Sequence, residues 1–358
     1  VNPFLAVAGL VLFVAVMFML PLVPALVELK RKSDALPLNV VQQNAGEIRH
    51  FAGSFRTYIQ ALEPILQRCV ASGETACGTL PDGVEYLALD RCEDPRALPI
   101  QQPGAICPVT IAAASDIVVP PETTFVRDIY AGGRFRGGDN NSYRAILGEK
   151  DVHLGSFSRL TRWVHAVGDF AADPGCELSG RVSSDSCIRL QGACNFLRLN
   201  APRIETGRVR ANEDSIRSNP EDHAVEGSET AQRFLYDGNF EVRAGELITG
   251  NIVARGKLHI GSGARIRGSV KSVGDMVLEA GASVQGSVMS GKQMLIGPDC
   301  VIHGPIVAEH SLLMTIGTRC GSLSHPTTVS APRIEVEEGV AVFGTLWARE
   351  HGAVVTIP

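Results

Sequence analysis

In the second half of the chain, aliphatic and polar residues alternate in short blocks, and the blocks return at a fixed interval. GARIRGSV (Gly263 to Val270) is followed eighteen residues later by GASVQGSV (Gly281 to Val288), and eighteen further on by DCVIHGPI (Asp299 to Ile306). Eighteen residues before it stands GELITGNI, Gly245 to Ile252. The columns are Gly250, Gly268, Gly286 and Gly304; Ile248, Ile266, Val284 and Ile302; and Ile252, Val270, Val288 and Ile306. After an interruption around His325 and Pro326 the string returns as GVAVFGTL, Gly339 to Leu346. Even spacing places the aliphatics on one face of an extended strand, and glycine falls where the chain bends. Eighteen residues make one coil of three short strands and three corners. Coils stack at the inter-strand spacing of about 4.8 Å, and each column becomes a ladder inside a tube. One coil cannot bury its own apolar face, so only a stack is stable. The expected fold is an all-β solenoid, a parallel β-helix.

An older duplication underlies the repeat. Residues 151–182 align without a gap on 257–288, an offset of 106, with His153, Gly155, Ser156, Arg159, Gly168, Asp169 and Gly180 among the identities. APRIE occurs at Ala201 to Glu205 and again at Ala331 to Glu335, an offset of 130, so the second copy carries 24 extra residues, one coil plus a loop of six. The expected organisation is a first β-helix half over 112–210, a polar linker over 211–232, a second half over 233–350 and a tail over 351–358.

The N-terminal pattern differs. Residues 1–27 are uncharged, and Pro3 to Val27 is almost wholly apolar, longer than the roughly 20 residues that cross a bilayer core. Glu28, Lys30, Arg31 and Lys32 close the segment. A retained single-pass anchor is expected over 3–27, with its basic flank reaching residue 32. The positive-inside rule puts the bulk of the chain in the cytoplasm. The alternative is a signal peptide cleaved near Ala25, which would leave the rest extracytoplasmic. Residues 33–111 read as a helical and Cys/Pro-containing region. From Val40 to about Val70, Ile48, Phe51, Phe55, Ile59, Leu62 and Leu66 recur at helical spacing, giving a helix that covers one end of the following domain or docks on a membrane or partner. Cys69, Cys77, Cys92 and Cys107 are separated by 7, 14 and 14 residues, which matches no zinc module with close pairs. Outside the cytoplasm they could form two disulfides.

Composition narrows the function. Thirty-three basic and 38 acidic residues give a net charge of −5, which argues against a nucleic-acid partner. Glycine, at 37 residues, suits a chain that turns often, and 6% aromatics suggests an aliphatic core. Catalytic candidates are few. His153 and His259 occupy duplicated positions between inward aliphatics, so alternation sends both outward. His303 shares a ladder position with Arg267 and Gln285, a solvated face. Only His310 and His325 remain for a hexapeptide-repeat acyltransferase-like enzyme, and no acid stands at a telling spacing from either. Gly132-Gly133 and Gly137-Gly138 lack the Lys-Ser/Thr of a phosphate loop. Cys194 and Cys300 are equivalent small core or corner positions, and Cys176 and Cys187 offer no metal spacing. No catalytic, cofactor-binding or metal-ligating residue and no cofactor is expected.

The coils in GARIRGSVKSVGDMVLEAGASVQGSV resemble those of bactofilins, polymer-forming bacterial cytoskeletal proteins. The resemblance is strong over 243–310, traceable over 125–205 and absent from the first 110 residues. It implies a right-handed β-helix, end-to-end self-association without nucleotide, attachment to the bacterial inner membrane, and a scaffolding role toward an envelope-assembly protein of unknown identity. An extracytoplasmic structural or adhesive solenoid is the further alternative.

Overall fold

The structure is a computed structural model that describes residues 50–95, 98, 104–207 and 232–356, together with Gly9, Phe13, Met17, Met19 and Leu20. Gly9, Phe13, Met17 and Met19 are helical. The rest of the expected anchor at 3–27, the start of the expected helix at 40–49 and nearly all of the linker lie outside the described residues. Among the described residues, no helix is long and apolar enough to cross a membrane. Ile48–Pro358 forms one compact unit, separate from Val1–Glu47.

A single coil of the second half shows how the pattern becomes structure. Arg265–Arg267 lies on a first face, Val270–Ser272 on a second and Met276–Leu278 on a third. Ile266, Val270, Ser272, Met276 and Leu278 point inward and are at most 1% exposed, whereas Arg265, Arg267 and Lys271 point outward. Each strand pairs in parallel with the strand eighteen residues later, Val270 with Val288 and Met276 with Met294. Burying each large aliphatic side chain this way contributes about 1.5–3 kcal/mol. At the corner after the first face, a Cβ on Gly286 would sit 2.6 Å from the Gly268 carbonyl group. The glycine column exists because coil backbones touch there.

The stack begins a coil earlier than the sequence repeats suggest. Glu85–Leu89 pairs in parallel with Thr110–Ala113, and Ala76–Thr79 folds back onto it as an antiparallel hairpin. It also ends later: Ala341–Val355 takes in most of the expected tail, and its last residues form the third face of the final coil. The 24 extra residues of the second half resolve as expected. One complete additional coil is present, and the corner joining first and second faces grows. Phe196 and Leu199 flank it three residues apart in the first half, against nine between Cys320 and Val329. The extra six residues, 321–326, are the irregular segment that carries His325 and Pro326.

The core departs from the aliphatic expectation. In the first half, Tyr143, Phe135, Phe170 and Phe196 are among the largest fully buried side chains. Phe125 stacks on Tyr143 at 5.3 Å, and the Tyr143 hydroxyl is hydrogen-bonded to Asn141 at 2.7 Å. Phe125, Phe135, Tyr143, Phe170 and Phe196, all at most 2% exposed, give the first tube an aromatic interior.

The expected helix is broken. His50–Ile59 (α1) passes through a 3₁₀ turn, Gln60–Leu62, into Glu63–Ser72 (α2), where Pro64 has no amide proton to continue the ladder. Gly73 ends α2 at φ 71°, donating its N–H to the Cys69 carbonyl at 2.8 Å. Phe55, Ile59, Leu62 and Leu66 of the expected stripe are buried, against Ala88, Ala112, Leu147 and Trp163. These partners belong to the second face of the first half, so the helices cover a side of the tube rather than its end. Arg56 fixes the docking with two hydrogen bonds to Glu149, at 2.7 and 2.9 Å.

The two halves meet tail to tail. Asn195–Thr206, the last strand of the first, runs antiparallel to Ala341–Val355, the last strand of the second. Second face meets second face, Leu199 opposite Leu346. The first face of each half meets the third face of the other, as Phe196 opposite Gly352 and Ile204 opposite Val342 show. That exchange is what a two-fold axis across the tube imposes. The inward ladder of the second face consequently runs unbroken from Leu87 at one end, through Leu199 and Leu346, to Phe234 at the other.

Candidate functional site

The candidate histidines are dispersed. His153 and His259 point outward, as alternation requires, between neighbours at most 1% exposed. Each meets a carboxylate one coil on: His153 Nε2 lies 3.1 Å from Asp173 and His259 Nε2 lies 2.9 Å from Glu279. Glu279 also accepts hydrogen bonds from the Ser262 hydroxyl and N–H at 2.8 and 3.0 Å. These, with His259, hold its carboxyl below the usual glutamate range. The duplication preserves a surface histidine–carboxylate contact between coils. His259 also lies in a shallow open groove along the third face, with Asp275, Leu295, Leu313 and Arg333. His303 sits half-buried at a corner, and His310 is exposed at another. His325 is exposed in the enlarged corner, its Nδ1 3.0 Å from the Ser324 hydroxyl. Neither His310 nor His325 has a carboxylate partner among the described residues.

All nine cysteines are free. Cys69 lies on the buried side of α2, its thiol 3.6 Å from the Ala88 carbonyl; Cys92 and Cys107 line the first coil, and Cys77 is exposed. Cys176, Cys194 and Cys300 occupy inward corners, stacked in columns with Ser158, Ala264 and Ala282. Burial pushes the Cys300 thiol up to about 11 and the Cys187 and Cys320 thiols up to about 12. These groups are protonated at neutral pH, the opposite of an activated nucleophile. Among the described residues no cluster of three His, Cys, Asp or Glu could hold a metal ion. The paired glycines at Gly132-Gly133 and Gly137-Gly138 are coil corners. A Cβ on Gly138 would lie 2.5 Å from the Pro121 nitrogen of the coil below.

The ends of the tubes are chemically distinct from the rest. At the junction, the Asn200 amide donates to the Thr345 hydroxyl at 2.8 Å, and the Thr206 hydroxyl donates to the Glu337 carbonyl at 2.6 Å. The Arg198 guanidinium lies over the Trp347 ring, 5.0 Å from its centroid. Both tails are consumed there. The head of the second half, Arg233–Tyr236, Phe240–Val242 and Leu247–Thr249, pairs on one edge only among the described residues. Its inward residues Phe234, Tyr236, Phe240 and Ile248 are only partly buried, whereas Ile252, Ala254, Leu258 and Ile266 one coil on are at most 1% exposed. Leu235 is 57% and Leu247 54% exposed, and the Tyr236 and Phe240 rings stack at 3.5 Å.

Sequence reasoning passed over this end, although it carries a signal. Three aromatics stand in columns filled by Ile252, Ala254 and Leu258 in the next coil, and aromatic enrichment marks protein interfaces. Comparison with family models, with curated proteins and with solved structures finds no match for this chain.

Proposed function

We propose that the chain is a non-enzymatic scaffold similar to bactofilins. In this reading residues 3–27 tether it to the bacterial inner membrane as a single-pass helix. The right-handed β-helical part stands in the cytoplasm and uses a coil end to self-associate or to dock envelope-assembly machinery. One observation carries the reading: among the described residues the head coil at 233–249 keeps an unpaired strand edge on all three faces, with partly buried aromatics behind it. Open edges of this kind pair with other chains. The candidate histidines support the same reading, because His153 and His259 contact carboxylates of a neighbouring coil and His303, His310 and His325 lie at corners rather than converging on one place.

Electron microscopy of the full chain in a mild detergent tests it. Particles joined through coil ends are expected. Single rods at every concentration, together with an unaltered cell envelope on deleting 233–356, would overturn it. Reporter fusions at the C-terminus give the orientation, with cytoplasmic activity expected.

A further inference from the structure

We infer that the head coil docks onto the head coil of a second copy, giving a two-fold dimer in which assembly stops. This rests on the end-docking reading above and specifies its partner and its limit.

Backbone directions define the docking edge. The Gln232 and Tyr236 carbonyls accept from Asn251 and Arg255 of the next coil, at 2.8 and 2.9 Å. Successive backbone groups point to opposite edges of a strand, so the N–H and C=O of Arg233 and Leu235 face away from the stack. On the third face, Phe240 donates to the Lys257 carbonyl and Gly261 to the Val242 carbonyl, both at 2.9 Å, which leaves Glu241 facing out. On the first face, Arg265 donates to the Glu246 carbonyl at 2.8 Å and Gly250 to the Arg267 carbonyl at 3.0 Å, leaving Leu247 and Thr249. Backbone groups on all three faces are therefore aimed at whatever occupies the end.

The occupant follows from the junction. Continuing the parallel stack would require a free tail, and both tails of this chain are buried against each other. A head can meet only another head of the same molecule, and such a meeting is antiparallel. The junction shows that three-faced coil ends close in that way, second face on second face and first on third. A register centred on Leu235 would place Arg233 opposite Asp237 of the second copy on both sides of the axis, opposite charges in each case. The other end of the molecule does not repeat this geometry. There the outermost strand among the described residues is the antiparallel Ala76–Thr79, and Leu98 is buried at 2% exposure. An isologous contact uses the same patch on both copies and is closed once made.

The test uses the full chain in non-ionic detergent, with the protein mass obtained by light scattering corrected for detergent. Twice the chain mass is expected. Leu235→Pro removes an amide proton that has no partner among the described residues, at an edge strand where proline is tolerated, so it is expected to give monomers with the thermal midpoint unchanged. Arg233→Asp is expected to weaken the dimer about tenfold. A wild-type monomer at all concentrations would overturn the self-docking while leaving end docking to a different protein to the microscopy above. Growth beyond two copies would overturn the closure. A dimer insensitive to both Leu235→Pro and Glu241→Pro would overturn the location.

Discussion

Gly286 and Gly53 carry the same side chain and should respond to an added methyl group in opposite directions. Gly286 sits where two coil backbones touch, with the Gly268 carbonyl group 2.6 Å from the space its Cβ would fill. Gly286→Ala should therefore cost about 1–3 kcal/mol as overpacking against backbone, read as a lowered midpoint in thermal unfolding. Gly53 lies inside α1 with nothing within 4 Å of its missing Cβ, so Gly53→Ala should stabilise by about 0.5–1 kcal/mol. Charge acts at the same scale. Burial disfavours the charged form of Asp169, but hydrogen bonds from the Ser186 hydroxyl and the Arg189 guanidinium, each 2.6 Å, outweigh it and hold the carboxyl below its ordinary value. A carboxylate depressed on folding stabilises above its unfolded pKa, and that contribution is lost as pH falls through the folded value. The midpoint should accordingly drop as pH falls through and below the usual aspartate range. Arg189→Ala should flatten that slope; an unchanged slope would assign it to other carboxylates.

At the scale of elements, the helices and the tube are separable. α1 and α2 cover only the second face of the first half, and Phe55 meets Trp163 edge-to-face at 5.6 Å. Phe55→Asp should release the helices and raise amide exchange across 50–72, while exchange in the second half stays slow. Global unfolding would show that the tube depends on its cover. The repeats were legible because every coil imposes the same steric demands on the same columns, so Gly268, Ile266 and Val270 recur as text. The apolar stripe of the helices was legible too, since Phe55, Ile59 and Leu62 keep helical spacing. Where the stripe docks was not, because Ala88, Ala112 and Leu147 lie on strands with no feature naming them as a binding face. The break at Pro64 could have been read from its missing amide. The first coil, at Glu85–Leu89, was hidden because Leu87 and its ladder partner Ile111 stand 24 residues apart rather than eighteen, which breaks the period.

For the whole molecule, the decisive feature is the junction. It turns two tubes that run in opposite directions into one continuous stack, and it leaves the head at 233–249 as the end that repeats the tube's geometry without a covering strand among the described residues. Nothing in the sequence announces this. Asn195–Thr206 and Ala341–Val355 share no repeat in antiparallel register, and their pairing depends on which coil ends are left exposed once both stacks have formed. The outward direction of His153 and His259 was legible from alternation alone, whereas Phe234, Tyr236 and Phe240 mark the candidate docking end only once it is known which ends are already used.

Cross-linking at the junction tests this arrangement most directly. Asn200 and Thr345 face each other across it, whereas Thr328 lies one strand further away, paired with Thr345 on its far side. A disulfide needs Cα atoms no more than about 7 Å apart. With Cys77 replaced by serine, Asn200→Cys with Thr345→Cys should close under mild oxidation into a linked peptide pair seen by mass spectrometry, and Asn200→Cys with Thr328→Cys should not. If the first pair stays reduced in folded protein, or both pairs link equally, the tail-to-tail junction is contradicted.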